Sequence, residues 1–119
     1  MEKTNNDIKK LTDLIIAFRQ ERDWKQFHTP KNMAISLTLE ATEVLEHFQW
    51  QTNEELAEYI KTHKRDIGEE LADVLFWVLI MSHDFDIDII SAFKAKMEKN
   101  AQKYPVEKAR GRYTKYTEL

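Results

Sequence analysis

The stretch Glu70 to His83 reads Glu-Leu-Ala-Asp-Val-Leu-Phe-Trp-Val-Leu-Ile-Met-Ser-His. From Val74 to Met81 it is apolar on nearly every side of a helical wheel, so it predicts the most buried helix of the chain. At its start two acids, Glu70 and Asp73, stand three residues apart. On a helix with about 100° per residue such a pair projects from neighbouring points on one side. Asp73 is embedded among Leu71, Ala72, Val74 and Leu75, so its acid borders the core face. A buried rod with acids along its edge needs other helices around it, and the rest of the sequence supplies them.

Upstream, Thr29-Pro30 opens a helix, with Thr29 as N-cap and Pro30 at the first helical position. Leu37, Ala41, Val44, Leu45 and Phe48 form its stripe, and the helix is expected to stop near Gln49-Trp50. Glu40 lies roughly 60° from Leu37 with Val44 between them, so Glu40 and Glu43 also border a core face. Thr52 with Glu55 reads as a capping box, opening a short helix with Leu56, Tyr59 and Ile60. The long apolar helix then begins near Lys64 to Asp66 and runs through His83. Gly68 near its start would allow close helix approach while weakening the helix locally.

Before Thr29, Ile8, Leu11, Leu14, Ile15 and Phe18 predict a helix over Asn6 to Arg22, capped by Asn5 or Asn6. The connector Asp23 to Thr29 is unusually aromatic, with Trp24, Phe27 and His28, which suggests a folded-down lid or a binding wall. Beyond His83, Asp86 is the expected cap of a last helix with Ile89, Ile90, Phe93, Met97 and Ala101 as its stripe. Tyr104-Pro105 ends it. Residues 106–119 show no period and read as an irregular basic tail. The chain has 119 residues, so a single domain over 1–119 is expected, all-α and four-helix-bundle-like. The long apolar helix has more hydrophobic surface than three small neighbours need, so an oligomer is expected.

Composition narrows the function classes. Hydrophobic residues make up 42% and charged residues 33%, with a formal net charge of −3. That balance gives no global reason to bind nucleic acid or an anionic membrane. Two glycines and two prolines argue against an all-β chain. Cysteine is absent, which excludes disulfides, thiolate metal sites and a Cys nucleophile. Met1 to Lys10 is polar and no run reaches the roughly 20 apolar residues that span a bilayer, so the expectation is a cytoplasmic protein. Charge is uneven: residues 31–90 carry 4 basic and 13 acidic groups, and residues 91–119 carry 8 basic and 3 acidic.

The spacing of the acids explains the acidic middle. Two i, i+3 pairs, each edging a core face on adjacent helices, can converge. Four carboxylates together repel and lose hydration unless a cation neutralises them. All-oxygen ligands favour Mg²⁺ or Mn²⁺ over zinc, and no His stands in a Glu-x-x-His position to support a di-iron site. Such an ion commonly meets a phosphate-bearing substrate. The competing reading is plain solvated charge, which suits Glu46, Glu54, Glu55, Glu58 and Glu69. Likewise Trp24, Trp50 and Trp77 read either as core or as base-stacking residues, and His28 as a packing residue. Lys31 and Asn32 are either phosphate ligands or solvated.

The pattern Glu40-x-x-Glu43, then 26 residues, then Glu70-x-x-Asp73 resembles the signature of all-α, MazG-like nucleotide pyrophosphohydrolases. More specific are Arg22-Asp23-Trp24-x-Gln26-Phe27-His28-x-Pro30-x-Asn32, Phe48-Gln49-Trp50 and Glu69-Glu70-Leu71-x-Asp73-Val74-Leu75. Lys96-Met97-x-x-Asn100, Tyr104-Pro105 and Lys115-Tyr116-Thr117-Glu118-Leu119 complete the set. Together they are similar to the dCTP pyrophosphatase branch, from about Ile8 to Leu119.

The resemblance implies hydrolysis of a small nucleoside triphosphate between the α and β phosphates, with Glu40, Glu43, Glu70 and Asp73 holding Mg²⁺. Mn²⁺ is a possible substitute. Glu43 and Asp73 are the expected catalytic acids, with Glu43 accepting the proton of the attacking water. Trp24 to His28 and Trp50 are implied to enclose the base. Asn100, with Lys103 and Tyr104 beside it, is implied to reach the nucleotide across a subunit boundary in a dimer of dimers. Lys31, Lys103 and Arg110 or Arg112 are the cations available to leaving pyrophosphate. Members often carry Tyr where this chain has Trp77, whose indole donates from a different place, so base and sugar preference stay open. Hydrolysis of another nucleotide such as dUTP, or of a modified triphosphate, is the alternative enzyme reading. A helical oligomerisation or adaptor module is the non-enzymatic one.

Overall fold

The computed structural model describes residues 2–119, with side chains from residue 7 onward. The helices are α1 (Glu2–Glu21), α2 (Pro30–Glu46), α3 (Asn53–Thr62), α4 (Lys64–Asp84), α5 (Ile89–Lys103) and α6 (Val106–Ala109). Single 3₁₀ turns lie at Lys25–Phe27 and Tyr116–Glu118. No strand occurs among the described residues, as the all-α reading expects. The chain forms two compact units, Met1–Asp86 and Ile87–Leu119.

In the first unit α4 packs chiefly on α2, next on α1, and lightly on α3. Local chemistry starts the elements where the sequence predicts. Thr29 Oγ1 accepts from the Asn32 backbone N–H, and Pro30 occupies the first turn of α2. At α3 the Thr52 hydroxyl accepts from the Glu55 N–H while the Glu55 carboxylate accepts from the Thr52 N–H at 2.8 Å, a complete capping box. His63 alone separates α3 from α4. The core consists of Met33 from α2 and Ile67, Leu79 and Ile80 from α4.

Several expectations are corrected. Helix α2 stops at Glu46 and a turn carries the chain through Trp50, earlier than the Gln49-Trp50 stop. Helix α1 begins at Glu2 and runs through Asn5 and Asn6; the side chains of these two expected caps lie outside the described residues. Asp88, not Asp86, caps α5: its carboxylate accepts from the Ser91 N–H and Oγ. Asp86 instead takes a left-handed backbone (φ 55°) just after α4, a conformation aspartate tolerates. A Cβ on Gly68 would meet nothing within 4 Å, so no helix approaches closely there. The apolar stripes are only partly covered: Leu14 on α1 is 67% exposed and Leu71 on α4 54%, because α1 packs chiefly on α4 and α4 has neighbours on part of its circumference only.

One buried contact has no signal in the sequence. Arg19 sits one turn after Ile15 on α1, is 2% exposed, and forms a two-pronged ion pair with Asp84 at 2.7 and 2.9 Å. In the second unit α5 is followed by the short helix α6 and the 3₁₀ turn, so the segment read as irregular carries two short helical pieces. Tyr116 packs edge-on to Tyr104 (5.9 Å between centroids), and Lys103 Nζ lies 4.7 Å over the Tyr116 ring. No helix among the described residues is long and apolar enough to cross a membrane.

Candidate metal centre and nucleotide groove

The two acid pairs converge. Because α2 and α4 pack together, Glu40 and Glu43 face Glu70 and Asp73, and one carboxylate oxygen from each lies within 4.8 Å of the others. Glu40 and Glu70 are half-buried and Glu43 and Asp73 exposed, so the cluster has a protein side and an open side. Glu40 Oε2 is buried with no hydrogen-bond partner. A buried acceptor with nothing to accept from is costly, and a cation supplies what it lacks.

The electrostatics agree. Burial, then a hydrogen bond shared with Glu43, then the charges of Glu43, Asp73 and Glu70 push the Glu40 carboxyl up to about 7. The Glu70 carboxyl is raised first by its hydrogen bond with Glu43, then by desolvation and by the charges of Glu43 and Asp73, against a lowering pull from His47. Glu43 therefore acts on an acid of each helix. Four oxygens of this kind suit a hard cation with oxygen preference.

Glu40 and Asp73 open into a groove of ≈ 480 Å³ whose other walls are Leu14, Ile15, Phe18, Phe76 and Trp77. Carboxylates at one side and aromatic faces at the other give it two chemical ends. The aromatic wall is continuous: Phe18 meets Phe76 edge-on at 6.4 Å, and Phe76 meets Trp77 at 5.0 Å. His28 stands edge-on to Trp77 at 5.1 Å, and Trp24 edge-on to Phe18 at 5.6 Å. Trp77, His28 and Trp24 thus belong to one network beside the acids. Burial first, then the Arg19 charge, lowers the His28 pKa, and its Nδ1 is buried without a partner.

Other residues read as substrate contacts stand elsewhere. Trp50 is 79% exposed on the turn after α2 and does not line the groove. Lys31 lines a shallower depression with Ala34, Ile35, Thr38 and Leu39. Asn32 acts as a clamp: its Nδ2 donates to the Phe27 carbonyl at 3.1 Å, tying the aromatic connector to α2. Asn100, Lys103 and Tyr104 belong to the second unit, where the Asn100 carbonyl accepts from the Tyr104 N–H as α5 ends. Sequence reasoning missed Phe18 and Phe76 as groove walls and His47 beside Glu70. A histidine four residues after Glu43 was the available signal for the last.

Comparison with known proteins gives the chain a family. Residues 35–119 match the MazG-like family. The chain is 37% identical to dCTP pyrophosphatase 1 of Mus musculus over 120 aligned residues, covering 99% of this chain and 69% of that protein. The Homo sapiens dCTP pyrophosphatase 1 gives the same figures. A crystal structure of a pyrophosphatase from Archaeoglobus fulgidus superposes with a TM-score of 0.79 at 42% identity, covering 83% of this chain and 93% of the other. On the family match and on relatives aligned over nearly its whole length, this chain belongs to the MazG-like family.

Proposed function

We propose that this chain is a divalent-metal-dependent nucleoside triphosphate pyrophosphohydrolase that converts dCTP and water to dCMP and pyrophosphate. The observation that carries the reading is the convergence of Glu40, Glu43, Glu70 and Asp73 around the partnerless Glu40 Oε2, at the side of an aromatic groove. The names of the relatives supply the substrate class.

Glu40, Glu43, Glu70 and Asp73 would hold Mg²⁺, or Mn²⁺ in its place; the bound ion neutralises phosphate charge and makes bound water more acidic. The chain's own residues do the rest. Phe18, Phe76 and Trp77 offer faces and edges to the base, a stacking interaction worth about 1–3 kcal/mol per base by analogy with single-strand binding. Glu43, in reach of acids on both helices, takes the proton of the water whose oxygen attacks the α-phosphorus. The bond from that phosphorus to the bridging oxygen breaks, and pyrophosphate leaves. Trp24, His28, Lys31, Asn32 and Trp50, with Asn100, Lys103 and Tyr104, remain the proposed substrate contacts. The exposed apolar side chains of Leu11, Leu14, Leu45 and Leu71 support a homo-oligomer, proposed as a tetramer. A cytoplasmic location goes with this reading, because the substrate is a soluble nucleotide.

The test is pyrophosphate release from a panel of deoxynucleoside and ribonucleoside triphosphates, with Mg²⁺ and with EDTA. Metal-dependent release that is fastest with dCTP is the expected result. Equal rates on all four canonical deoxynucleotides would remove dCTP as the assigned substrate, and release of orthophosphate alone would remove the reaction. Trp77 gives a specific reason to include dUTP and modified bases, because an indole presents its single N–H from a different position than a phenol does.

A further inference from the structure

The acidic cluster has a support that the proposed reaction does not use. His47, the residue that follows α2, turns its Nε2 toward Glu70 Oε1 at 4.0 Å, while its Nδ1 lies 2.8 Å from the Tyr59 hydroxyl of α3. Both side chains are largely buried, 15% and 27% exposed. Tyr59 is itself held: the His63 ring stacks on it at 3.9 Å between centroids with 9° between planes. His63 Nδ1 in turn lies 3.1 Å from the Tyr59 carbonyl oxygen and 2.9 Å from the Thr62 hydroxyl.

Charge complementarity favours one arrangement of the imidazole. A ring nitrogen without a proton would aim a lone pair at the Glu70 carboxylate, which is repulsive. At 4.0 Å, longer than a hydrogen bond, an Nε2–H facing an ionised Glu70 is the electrostatically favoured arrangement. The Tyr59 hydroxyl fits this in either charge state, donating to Nδ1 of a neutral ring or accepting from Nδ1–H of a charged one. The Tyr59 bond holds the ring in place, and the Glu70 charge favours the proton on Nε2.

Resting on the metal-centre reading above, we propose that His47 is the positioning residue of the cluster. Its Nε2–H, held in place by Tyr59, orients the Glu70 carboxylate for the cation, as outer ligands of metal sites orient inner ones. Support then runs from α3 through Tyr59 and His47 to Glu70, and it reaches the cluster from outside the α2–α4 interface.

The competing account is that His47 and Tyr59 only fasten α3 to α2, and metal affinity separates the two. The full chain and its His47→Leu, His47→Gln and Tyr59→Phe variants are titrated with Mn²⁺, free ion being read by electron paramagnetic resonance, and their thermal midpoints are measured without metal. Expected is a loss of about tenfold in Mn²⁺ affinity for His47→Leu. Tyr59→Phe loses less, and His47→Gln, which keeps an N–H toward Glu70, recovers most of the loss. Nitrogen-15 spectra of the metal-free ring add a second readout: the Nε2–H tautomer in the native chain at pH 8, weakened in Tyr59→Phe and in Glu70→Gln. Native Mn²⁺ affinity in His47→Leu, whatever happens to its midpoint, overturns the proposal and leaves the metal centre standing. An Nδ1–H tautomer in the native chain overturns it too. A native chain that takes up no Mn²⁺ overturns the metal centre itself and this proposal with it.

Discussion

Replacing Glu40 by Gln should make the metal-free protein more stable at pH 8 while abolishing its metal-dependent activity. An ordinary glutamate loses its proton near 4.5, whereas Glu40 holds its proton up to about 7. Its folded pKa is above its unfolded one. The associated stability is therefore fully present below about pH 4.5 and is lost as pH rises through about 7. Each pH unit that separates the folded from the unfolded value corresponds to about 1.4 kcal/mol, and solvent at the open side of the cluster screens part of it. A penalty of about 1–2 kcal/mol at pH 8 is a fair magnitude after that discount. For a chain of this size this is about 4–8 °C in thermal midpoint. Glutamine has the shape of a protonated glutamate and cannot ionise, so the variant escapes the penalty. The assay is thermal unfolding in EDTA at pH 5 and pH 8, at one protein concentration because an oligomer's midpoint depends on it. The variant should exceed the native chain only slightly at pH 5 and by the full margin at pH 8. Adding Mg²⁺ should raise the native midpoint at pH 8 and leave the variant's almost unmoved. A native chain as stable as the variant at pH 8 in EDTA would refute the crowding of charge on which the metal centre rests.

Other substitutions probe other links. Asp73→Asn should reduce pyrophosphate release to background while far-ultraviolet circular dichroism stays helical, because the side chain is exposed at the cluster and carries little of the fold. Arg19→Ala should cost about 3–5 kcal/mol in denaturant unfolding, since it strands the Asp84 carboxylate beside the core. Arg19 holds the Asp84 carboxyl below its usual range, first by hydrogen bonding. That contribution is present above about pH 4 and fades as pH falls through the lowered value, so acid unfolding followed by fluorescence should begin at higher pH in Asp84→Asn. Gly68→Ala should stabilise by about 1 kcal/mol in the same denaturant assay, because the added methyl enters open space in the first turns of α4.

What the sequence disclosed follows the range of the interactions concerned. The caps at Thr29 and Thr52 were legible because a hydroxyl and an amide three residues away settle the geometry between them. The four acids were legible because each pair repeats at helical spacing beside an apolar stripe, and α2 and α4 do pack together. The start of α5 was ambiguous because Asp86 and Asp88 are chemically equal caps. The turn after α4 took Asp86 into the left-handed region and left Asp88 to bond Ser91. Arg19 and Asp84 are 65 residues apart, and only the packing of α1 on α4 unites them. His47 and Tyr59 meet only because the turn through Trp50 folds α3 back. The exposure of Leu14 and Leu71 was also hidden, since periodicity marks a face as apolar without saying whether its own chain covers it.

The connector bearing Trp24 and His28 is bolted at both ends. The Trp24 N–H donates to the Arg19 carbonyl, Gln26 bonds back to Asp23, and Asn32 grips Phe27. Backbone immobilised during folding need not be immobilised again when a guest arrives, and fixing even one residue costs about 1–2 kcal/mol. A nucleotide docking against this connector, as proposed, would meet a rigid wall with little ordering entropy left to lose. Its capture should resemble a key entering a cut lock, fast and weakly temperature-sensitive, with discrimination residing in how well each base fits a shape that does not yield.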